Sequence, residues 1–188
     1  MAERKTIARP GTRRDDNRVG EMIRVDHAGE YGAVTIYQGQ RAVFAGLASK
    51  ARIANQLKSM EADEQHHLDA FDALLMTHDE RPTALMPIWT LAGRALGVTT
   101  ALMGERAAHA CTEAVETVIE THYGDQIAEL EDRGEVALAA TFSTFRDEEI
   151  AHRDLAVHEG AKEAAGYPIL SGLIQAGCRA AITLSQKL

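Results

Sequence analysis

The sequence predicts an all-α protein, on three observations. Only four prolines occur, so no residue forces a helix to break between Pro10 and Pro82 or between Pro87 and Pro168. Alternating runs of β-branched residues are missing from the sequence, as are the Asn-Gly and Asp-Gly turns of β-hairpins. Good helix formers, chiefly Ala, Leu, Glu, Gln and Arg, dominate the long segments between the prolines.

Six helices are expected, with breaks where turn-forming residues occur. Asp79-Glu80-Arg81-Pro82 separates the second helix from the third, and Gly160 with Gly166-Tyr167-Pro168 separates the fifth from the last. The predicted helices span residues 19–46, 50–77, 84–101, 103–130, 134–160 and 168–186.

Length and charge favour one globular domain and disfavour some functions. The chain has 188 residues, 45% of them hydrophobic, with 20 Lys and Arg against 28 Asp and Glu, a formal net charge of −8. A chain of this size buries a substantial core. Binding to nucleic acid is not expected, because it needs a basic face that displaces counterions. Cys111 and Cys178 are too few for a disulfide framework.

Two segments bear on contact with a membrane. Residues 1–18 are polar and basic, and we expect a disordered tail there, with attraction to anionic lipid as the alternative. Residues 83–103 are apolar, but Arg94 near the middle and Pro87 near the start disfavour a transmembrane helix.

Each of the four long amphipathic helices places a carboxylate within its apolar stripe. Helix 50–77 carries Glu64 and helix 134–160 carries Glu149, while Glu30 and Glu116 occupy the same place in helices 19–46 and 103–130. An ionised carboxylate is unstable in a core unless it has a partner. Four such carboxylates therefore need a common explanation.

The motif Glu-x-x-His occurs at Glu64–His67 and at Glu149–His152, and each motif is in register with a glutamate on the preceding helix. Residues three apart on a helix share one face and can bind one metal ion together. In an antiparallel hairpin, residues equidistant from the turn meet. The midpoint of Glu30 and Glu64 is residue 47, next to Gly46. The midpoint of Glu116 and Glu149 lies between residues 132 and 133, next to Gly134.

The chain is therefore interpreted as an internal repeat, residues 19–78 and 103–160, each half supplying Glu and Glu-x-x-His. An apolar connector, residues 83–103, joins the halves, and a C-terminal helix, residues 168–186, follows. Four Glu and two His converging in a bundle form the ligand set of a ferritin-like di-iron or di-manganese centre. The predicted metal ligands are Glu30, Glu64, His67, Glu116, Glu149 and His152. Any single one of these glutamates taken alone is more simply a solvated helix residue.

Other polar residues near these positions are assigned differently. His66 is expected to be solvated, and Glu120 shares the stripe of Glu116 but is not expected to be a ligand. Asp26 and His122 are candidates to support the ligands, because a ligand histidine usually donates its other N–H to an acid or a carbonyl. Tyr123 is a further candidate, with a plain core role as the alternative. Acids placed off the inward face or at its edge are Glu61, Asp63, Glu113, Asp147 and Glu148.

Several long motifs resemble the demethoxyubiquinone hydroxylases of ubiquinone biosynthesis, and the resemblance covers residues 20–188. The first is Arg24-Val25-Asp26-His27-Ala28-Gly29-Glu30-Tyr31-Gly32-Ala33. The others are Arg81-Pro82-Thr83 with Leu85-Met86-Pro87 and Trp89, Ala110-Cys111-Thr112, Phe145-Arg146-Asp147-Glu148-Glu149, and Ile174-Gln175-Ala176-Gly177-Cys178-Arg179. No ligand position departs from the family pattern.

The resemblance implies a ferritin-like bundle with two iron ions. It implies that Glu64 and Glu149 bridge the metals and that Glu30 and Glu116 are terminal ligands. It also implies that His67 and His152 bind one iron each. The implied reaction is O2-dependent hydroxylation of the ring of a demethoxyubiquinol-type precursor, with NADH as co-substrate. The sequence has no Gly-x-Gly-x-x-Gly fingerprint, in keeping with no dedicated NADH domain.

A quinone precursor with a prenyl tail is dissolved in a membrane. The resemblance therefore also gives a role to the apolar connector and the C-terminal helix. They are expected to dip into one leaflet, with bundle capping or a homodimer interface as the alternatives. The residues concerned are Met86, Ile88, Trp89, Leu91, Leu96, Val98, Leu102, Met103, Ile169, Leu170, Leu173, Ile174 and Ile182. The expected location is peripheral, on the cytoplasmic side of a bacterial inner membrane or the matrix side of the mitochondrial inner membrane. A lipid-presenting partner protein is also implied.

Two other function classes compete with the hydroxylase. An iron-binding or peroxide-reducing protein of ferritin or rubrerythrin type would explain the predicted ligands but not the apolar connector and C-terminal helix. A structural helical bundle with fortuitous buried acids would bind no iron.

Overall fold

The computed structural model describes residues 18–187, and these residues are helical without any strand, which confirms the predicted all-α class. The helices are α1 (Arg18–Phe44), α2 (Ala51–Thr77), α3 (Met86–Leu102), α4 (Glu105–Asp132), α5 (Val136–His158) and α6 (Tyr167–Ser185). Their ends lie within two residues of the predicted ones. Residues 1–17 of the predicted tail lie outside the described residues. The prediction that Arg18 also belongs to the tail is wrong. Arg18 begins α1 and pairs with Glu21 and Glu129.

The helices end at the turn residues that the sequence predicts. Gly46 and Gly134 have φ values of 83° and 79°, which side-chain-bearing residues rarely adopt, and they close the α1–α2 and α4–α5 turns. Pro87 and Pro168 lie in the first turns of α3 and α6, where a helix needs no donor from them.

Polar pairs join the two helices of each hairpin, and in α1–α2 they show that the helices run antiparallel. Arg41 Nε donates to Glu61 Oε2 at 2.6 Å near the closed end of α1–α2. Further along the same hairpin, His27 Nε2 lies 3.0 Å from Asp72 Oδ1. In the second hairpin, Arg153 of α5 pairs with a carboxylate of α4.

The two hairpins share one interior, built from α1, α2, α4 and α5. Side chains of all four helices form an apolar cluster at one end, among them Ile23, Phe71, Tyr123 and Phe142. A second cluster near the α1–α2 turn contains Tyr37, Phe44, Ile53, Leu57 and Met60. The predicted ligand residues lie along the helices between these two clusters.

The outer helices α3 and α6 pack on α1 and α4, respectively. The α1–α3 contact depends on glycine, since a Cβ built on Gly97 would stand 2.1 Å from the carbonyl oxygen of Ile36. Trp89 Nε1 of α3 donates to Ser185 Oγ of α6 at 3.1 Å.

Both outer helices leave large apolar side chains in solvent. The exposed ones are Ile88, Leu91 and Leu102 of α3, Met103 after it, and Ile169, Leu173 and Leu184 of α6. Ile174, expected among the lipid-facing residues, is instead buried, because α6 turns it toward Cys111 and Val115 of α4. Within residues 18–187, no helix combines the length and the apolar character needed to cross a membrane.

Candidate metal centre

The structure brings the six predicted ligand residues together in the interior of the two hairpins. All six are buried. They form two overlapping groups, Glu30, Glu64, His67 and Glu149, and Glu64, Glu116, Glu149 and His152. Within each group, one nitrogen or oxygen of every residue lies within 4.8 Å of the others. Glu64 and Glu149 belong to both groups, so they stand between the two positions where a cation fits.

The histidines face the interior through Nδ1. His67 Nδ1 lies 3.0 Å from Glu149 Oε1 and 3.3 Å from Glu30 Oε2. His152 Nδ1 lies 3.2 Å from both Glu64 Oε1 and Glu149 Oε2. Each imidazole is therefore ringed by carboxylate oxygens contributed by both hairpins.

Burial changes the ionisation of these groups strongly. It is the main cause that raises the pKa of Glu30, Glu64 and Glu116, and the charge of Glu149 adds to it in each case. Burial also acts to raise the pKa of Glu149, but close contacts with His152 and His67 outweigh it and lower that pKa. Four carboxylates cannot all stay ionised in this interior without added positive charge.

The two imidazoles respond in the opposite sense. Burial acts to lower the pKa of His67, but the neighbouring Glu149 and Glu30 outweigh it and raise the pKa to about 12. Burial likewise acts against His152, and Glu149 raises its pKa to about 9. The interior therefore favours positive charge at both positions.

The outward nitrogens of the two histidines contact acids from the opposite hairpin. His67 Nε2 lies 2.5 Å from Glu148 Oε2, and His152 Nε2 lies 3.3 Å from Asp63 Oδ2. Each acid directly precedes the Glu-x-x-His glutamate of its own helix. Sequence reasoning missed both, since it placed them off the inward face. The signal that was available is the acid repeated before the motif in both halves.

Two tyrosines hold the remaining glutamates in the same crosswise way. Tyr37 donates its phenolic proton to Glu116 Oε1 at 2.9 Å, and Tyr123 donates to Glu30 Oε1 at 2.5 Å. Each tyrosine follows the glutamate of its own helix by seven residues, which is about two helical turns. Tyr37 is not among the residues predicted to support the ligands.

The structure does not place Asp26 and His122 against a ligand histidine. Asp26 Oδ1 instead accepts from His122 Nε2 at 3.0 Å and from Gln126 Nε2 at 3.1 Å. Glu120 pairs with Arg153 and belongs to neither group. His66 is exposed, as expected.

Glu113 belongs to neither ligand group, but it is not exposed. This residue is buried because α6 covers that side of α4, and Ser171 Oγ of α6 donates to Glu113 Oε2 at 3.3 Å.

The residues present fit a pair of divalent cations. Glu64 Oε1 and His67 Nδ1 are buried, and neither has a partner in hydrogen-bond geometry. Native interiors rarely retain such unpaired atoms without a ligand. Carboxylate oxygens and imidazole nitrogens without thiolates suit Fe(II) or Mn(II), and four carboxylates balance two divalent charges.

Comparison with known proteins decides the family. The profile of the family described as "Ubiquinone biosynthesis protein COQ7" matches residues 17–185. The chain belongs to this family. The resemblance seen in the sequence motifs is thereby confirmed.

Three relatives illustrate how far the COQ7 family similarity extends. The "3-demethoxyubiquinol 3-hydroxylase" of Rhodospirillum rubrum is 48% identical over 170 residues, covering 90% of this chain and 78% of the relative. The human protein named "NADPH-dependent 3-demethoxyubiquinone 3-hydroxylase, mitochondrial" is 45% identical over 173 residues, with coverage of 90% and 78%. The Saccharomyces cerevisiae "5-demethoxyubiquinone hydroxylase, mitochondrial" is 35% identical over 181 residues, with coverage of 89% and 77%.

Proposed function

We propose that this protein is an O2-dependent di-iron hydroxylase that adds a hydroxyl group to the ring of a demethoxyubiquinol-type precursor in ubiquinone biosynthesis. One observation carries the proposal: two hairpins join four buried carboxylates and two buried imidazoles into overlapping groups. The names of its relatives supply the substrate class. With such a site between them, the paired hairpins would form a ferritin-like four-helix bundle.

The six residues would have three different roles in binding two iron ions. Glu64 and Glu149, shared by both groups, would bridge the ions, while Glu30 and Glu116 would be terminal ligands. His67 and His152 would each bind one ion through Nδ1. The chemistry that such a centre supplies is reductive activation of O2, from which one oxygen atom enters the ring and the other leaves as water.

The rest of the chain prepares this site rather than taking part in oxygen chemistry. The phenols of Tyr37 and Tyr123 fix one oxygen each of Glu116 and Glu30, so the other oxygen is left to bind. Glu148 and Asp63 orient the imidazoles through Nε2. Buried apolar clusters on both sides limit access of water.

We further propose a reduced nicotinamide as the electron source. NADH is the co-substrate expected from the sequence resemblance, whereas the mammalian relatives are named as NADPH-dependent. Assays of the purified protein with each nucleotide in turn, at equal concentration, measure which one supports the faster hydroxylation.

The exposed apolar faces of α3 and α6 support a peripheral membrane position and a prenylated quinone substrate. Behind these faces, Leu96 of α3 and Ile174 of α6 pack on Ile36, Cys111 and Val115. Apolar side chains therefore run from the exposed surface to the helices that carry Glu30 and Glu116. We propose one membrane leaflet as the main occupant of this surface, facing the bacterial cytoplasm or the mitochondrial matrix. A lipid-presenting protein or a second copy of the chain would compete for the same surface.

The ferritin or rubrerythrin type of iron protein is the second candidate, since it would use the same ligands. It gives no reason for the six large apolar side chains that are exposed on two added helices. For this reason the hydroxylase is favoured.

Glu149→Ala is the variant that tests the proposal, because Glu149 belongs to both ligand groups. Iron bound after anaerobic reconstitution should fall from two ions per chain to less than one, while circular dichroism shows unchanged helix content. In cells whose only copy carries this variant, mass spectrometry should show a quinone precursor that lacks one methoxy group. Asp147→Ala, at an exposed neighbouring position, is the matched control. Normal iron content and normal ubiquinone in Glu149→Ala cells would refute the assignment.

A further inference from the structure

The metal centre is enclosed at both ends of the bundle and on the side of α1 and α4. The two apolar clusters close the ends of the interior. On the side of α1 and α4, the buried phenols of Tyr37 and Tyr123 bond to the proposed terminal glutamates. The outer helices α3 and α6 pack on α1 and α4 as well. A cation that approached along these directions would give up its hydration shell to apolar side chains.

The side formed by α2 and α5, here called the α2–α5 face, is different. Among the polar side chains of residues 18–187 that pair with the six ligand residues, only Asp63 and Glu148 are exposed. About half of each side chain reaches solvent, 52% for Asp63 and 46% for Glu148. Glu148 contacts His67 of the first ligand group. Asp63 contacts His152 of the second. One exposed carboxylate therefore stands directly outside each cation position.

The negative charge of these two carboxylates is not neutralised by a basic side chain. In the described part of the chain, neither of them pairs with Lys or Arg. The two arginines of α5 are engaged with other acids. Arg146 pairs with Asp147. Arg153 pairs with Asp154 and Glu120. Exposed charges of one sign raise the local concentration of ions of the opposite sign and the rate at which they bind. The α2–α5 face therefore attracts divalent cations.

Behind the two exposed acids, groups that can bind a metal continue without interruption into the interior. The imidazoles come next, and then the buried atoms Glu64 Oε1 and His67 Nδ1, which have no partner in hydrogen-bond geometry. Carboxylate oxygens and imidazole nitrogens are the donors that Fe(II) prefers, so the ion can exchange its waters for protein ligands one at a time. Exposed side chains change rotamer within nanoseconds, so both acids can turn outward without movement of the backbone.

We propose that Fe(II) enters the metal centre through the α2–α5 face, where Asp63 and Glu148 capture the ion and pass it to His152 and His67. This inference rests on the metal centre of the proposed function and adds a route of loading to it. The prenylated substrate is proposed to approach from α3 and α6, so cation and substrate use opposite sides of the bundle. Capture by charge speeds both entry and exit of the ion, and it therefore affects the rate of loading more than the affinity.

The double variant Asp63→Asn with Glu148→Gln tests this route, because the amide oxygens can still accept a hydrogen bond from histidine Nε2 while both charges are removed. Metal-free protein is mixed with Co(II) in a stopped-flow instrument, and the visible absorbance of the bound ion reports the rate of uptake. At low ionic strength, uptake by the variant should be about tenfold slower than uptake by the wild type. Salt at about 0.5 M should slow the wild type and barely affect the variant. Both proteins should bind two ions per chain at saturation.

Asp69→Asn with Asp147→Asn is the matched control, because it removes the same charge from exposed positions on the same two helices. These acids contact Gln65 and Arg146 rather than a ligand histidine, so uptake should stay close to the wild-type rate. Wild-type uptake in the test variant, or equal slowing in both variants, would overturn the entry route and leave the metal centre standing. Slowing that does not depend on salt would also overturn it, since it would come from displaced histidines rather than lost charge. A wild type that takes up no metal would refute the metal centre and, with it, the proposed function.

Discussion

His67 Nε2 lies 2.5 Å from Glu148 Oε2, so a carboxylate of the second hairpin orients a histidine of the first. The reverse contact joins His152 to Asp63 of the first hairpin. The tyrosines follow the same rule, because each bonds to the glutamate of the other hairpin. Neither hairpin can therefore form its half of the site alone, and the site should assemble only when both hairpins are docked.

Removing the acid behind a ligand histidine should weaken metal binding without removing a ligand. Glu148→Ala should lower the affinity for Fe(II) by about 10- to 100-fold, because His67 then loses the partner that fixes its orientation. Competition with a chromophoric chelator under anaerobic conditions measures this affinity. Asp147→Ala removes the preceding acid, which is also exposed and pairs with Arg146 instead. Equal affinities for the two variants would contradict the role of Glu148.

Helical periodicity and hairpin arithmetic suffice to predict that the six residues meet. Glu30 and Glu64 are equidistant from the turn at Gly46, and antiparallel packing brings residues so placed to the same level. The glycine at that turn has a positive φ, as its residue type indicates. Since both the 3.6-residue period and the turn chemistry are local properties, the sequence states them directly.

Contacts that depend on side-chain length or on which helix covers a face could not be predicted in this way. Glu148 lies about 100° from Glu149 on the helix, so periodicity places it outside, yet its long side chain reaches His67. Glu113 reads as a surface acid until α6 is known to pack on α4. The same tertiary contact buries Ile174, which has no distinctive pattern in the sequence.

Charges placed on the exposed faces of α3 and α6 should weaken association with lipid. In the double variant Leu91→Asp and Leu173→Asp, binding to liposomes of mixed anionic and zwitterionic lipids should fall at least tenfold in a flotation assay. The control variant, Met76→Asp with Val136→Asp, adds the same charge at exposed apolar positions on α2 and α5. Iron content should stay normal in both. Liposome binding that falls equally in both variants would point to charge alone and against a specific lipid-facing surface.

The close approach of α3 to α1 makes Gly97 sensitive to substitution. In Gly97→Ala the new methyl group would stand 2.1 Å from the Ile36 carbonyl oxygen, so α3 must move away from α1. The free energy of unfolding should fall by about 1–3 kcal/mol, measured by urea denaturation. Gly172→Ala, in α6, meets no atom within 4 Å and should stabilise the protein by about 0.5–1 kcal/mol through helix propensity. A neutral Gly97→Ala would show that the α1–α3 contact is looser than this distance implies.

Buried His109 should make the protein less stable as the pH falls below neutrality. Neither of its ring nitrogens has a hydrogen-bond partner, and burial lowers its pKa below the ordinary value of 6.5. The unfolded chain therefore binds a proton near pH 6.5 that the folded protein does not bind. The stability contributed by the neutral ring is present above pH 6.5 and is lost as the pH falls from that value toward the lower pKa of the folded protein.

The variant His109→Leu isolates this contribution, because leucine fills the site without a titrating group. Between pH 7 and pH 5.5 the unfolding free energy of the wild type should fall more steeply than that of His109→Leu. Other buried histidines and acids titrate in both proteins, so their effects cancel in the difference. Urea denaturation of the metal-free proteins at four pH values measures it, and His78→Leu, at an exposed position, should keep the wild-type slope. Parallel stability curves for the wild type and His109→Leu would show that His109 is protonated in the folded protein, paired with Glu105 or Glu159, whose charges act on it.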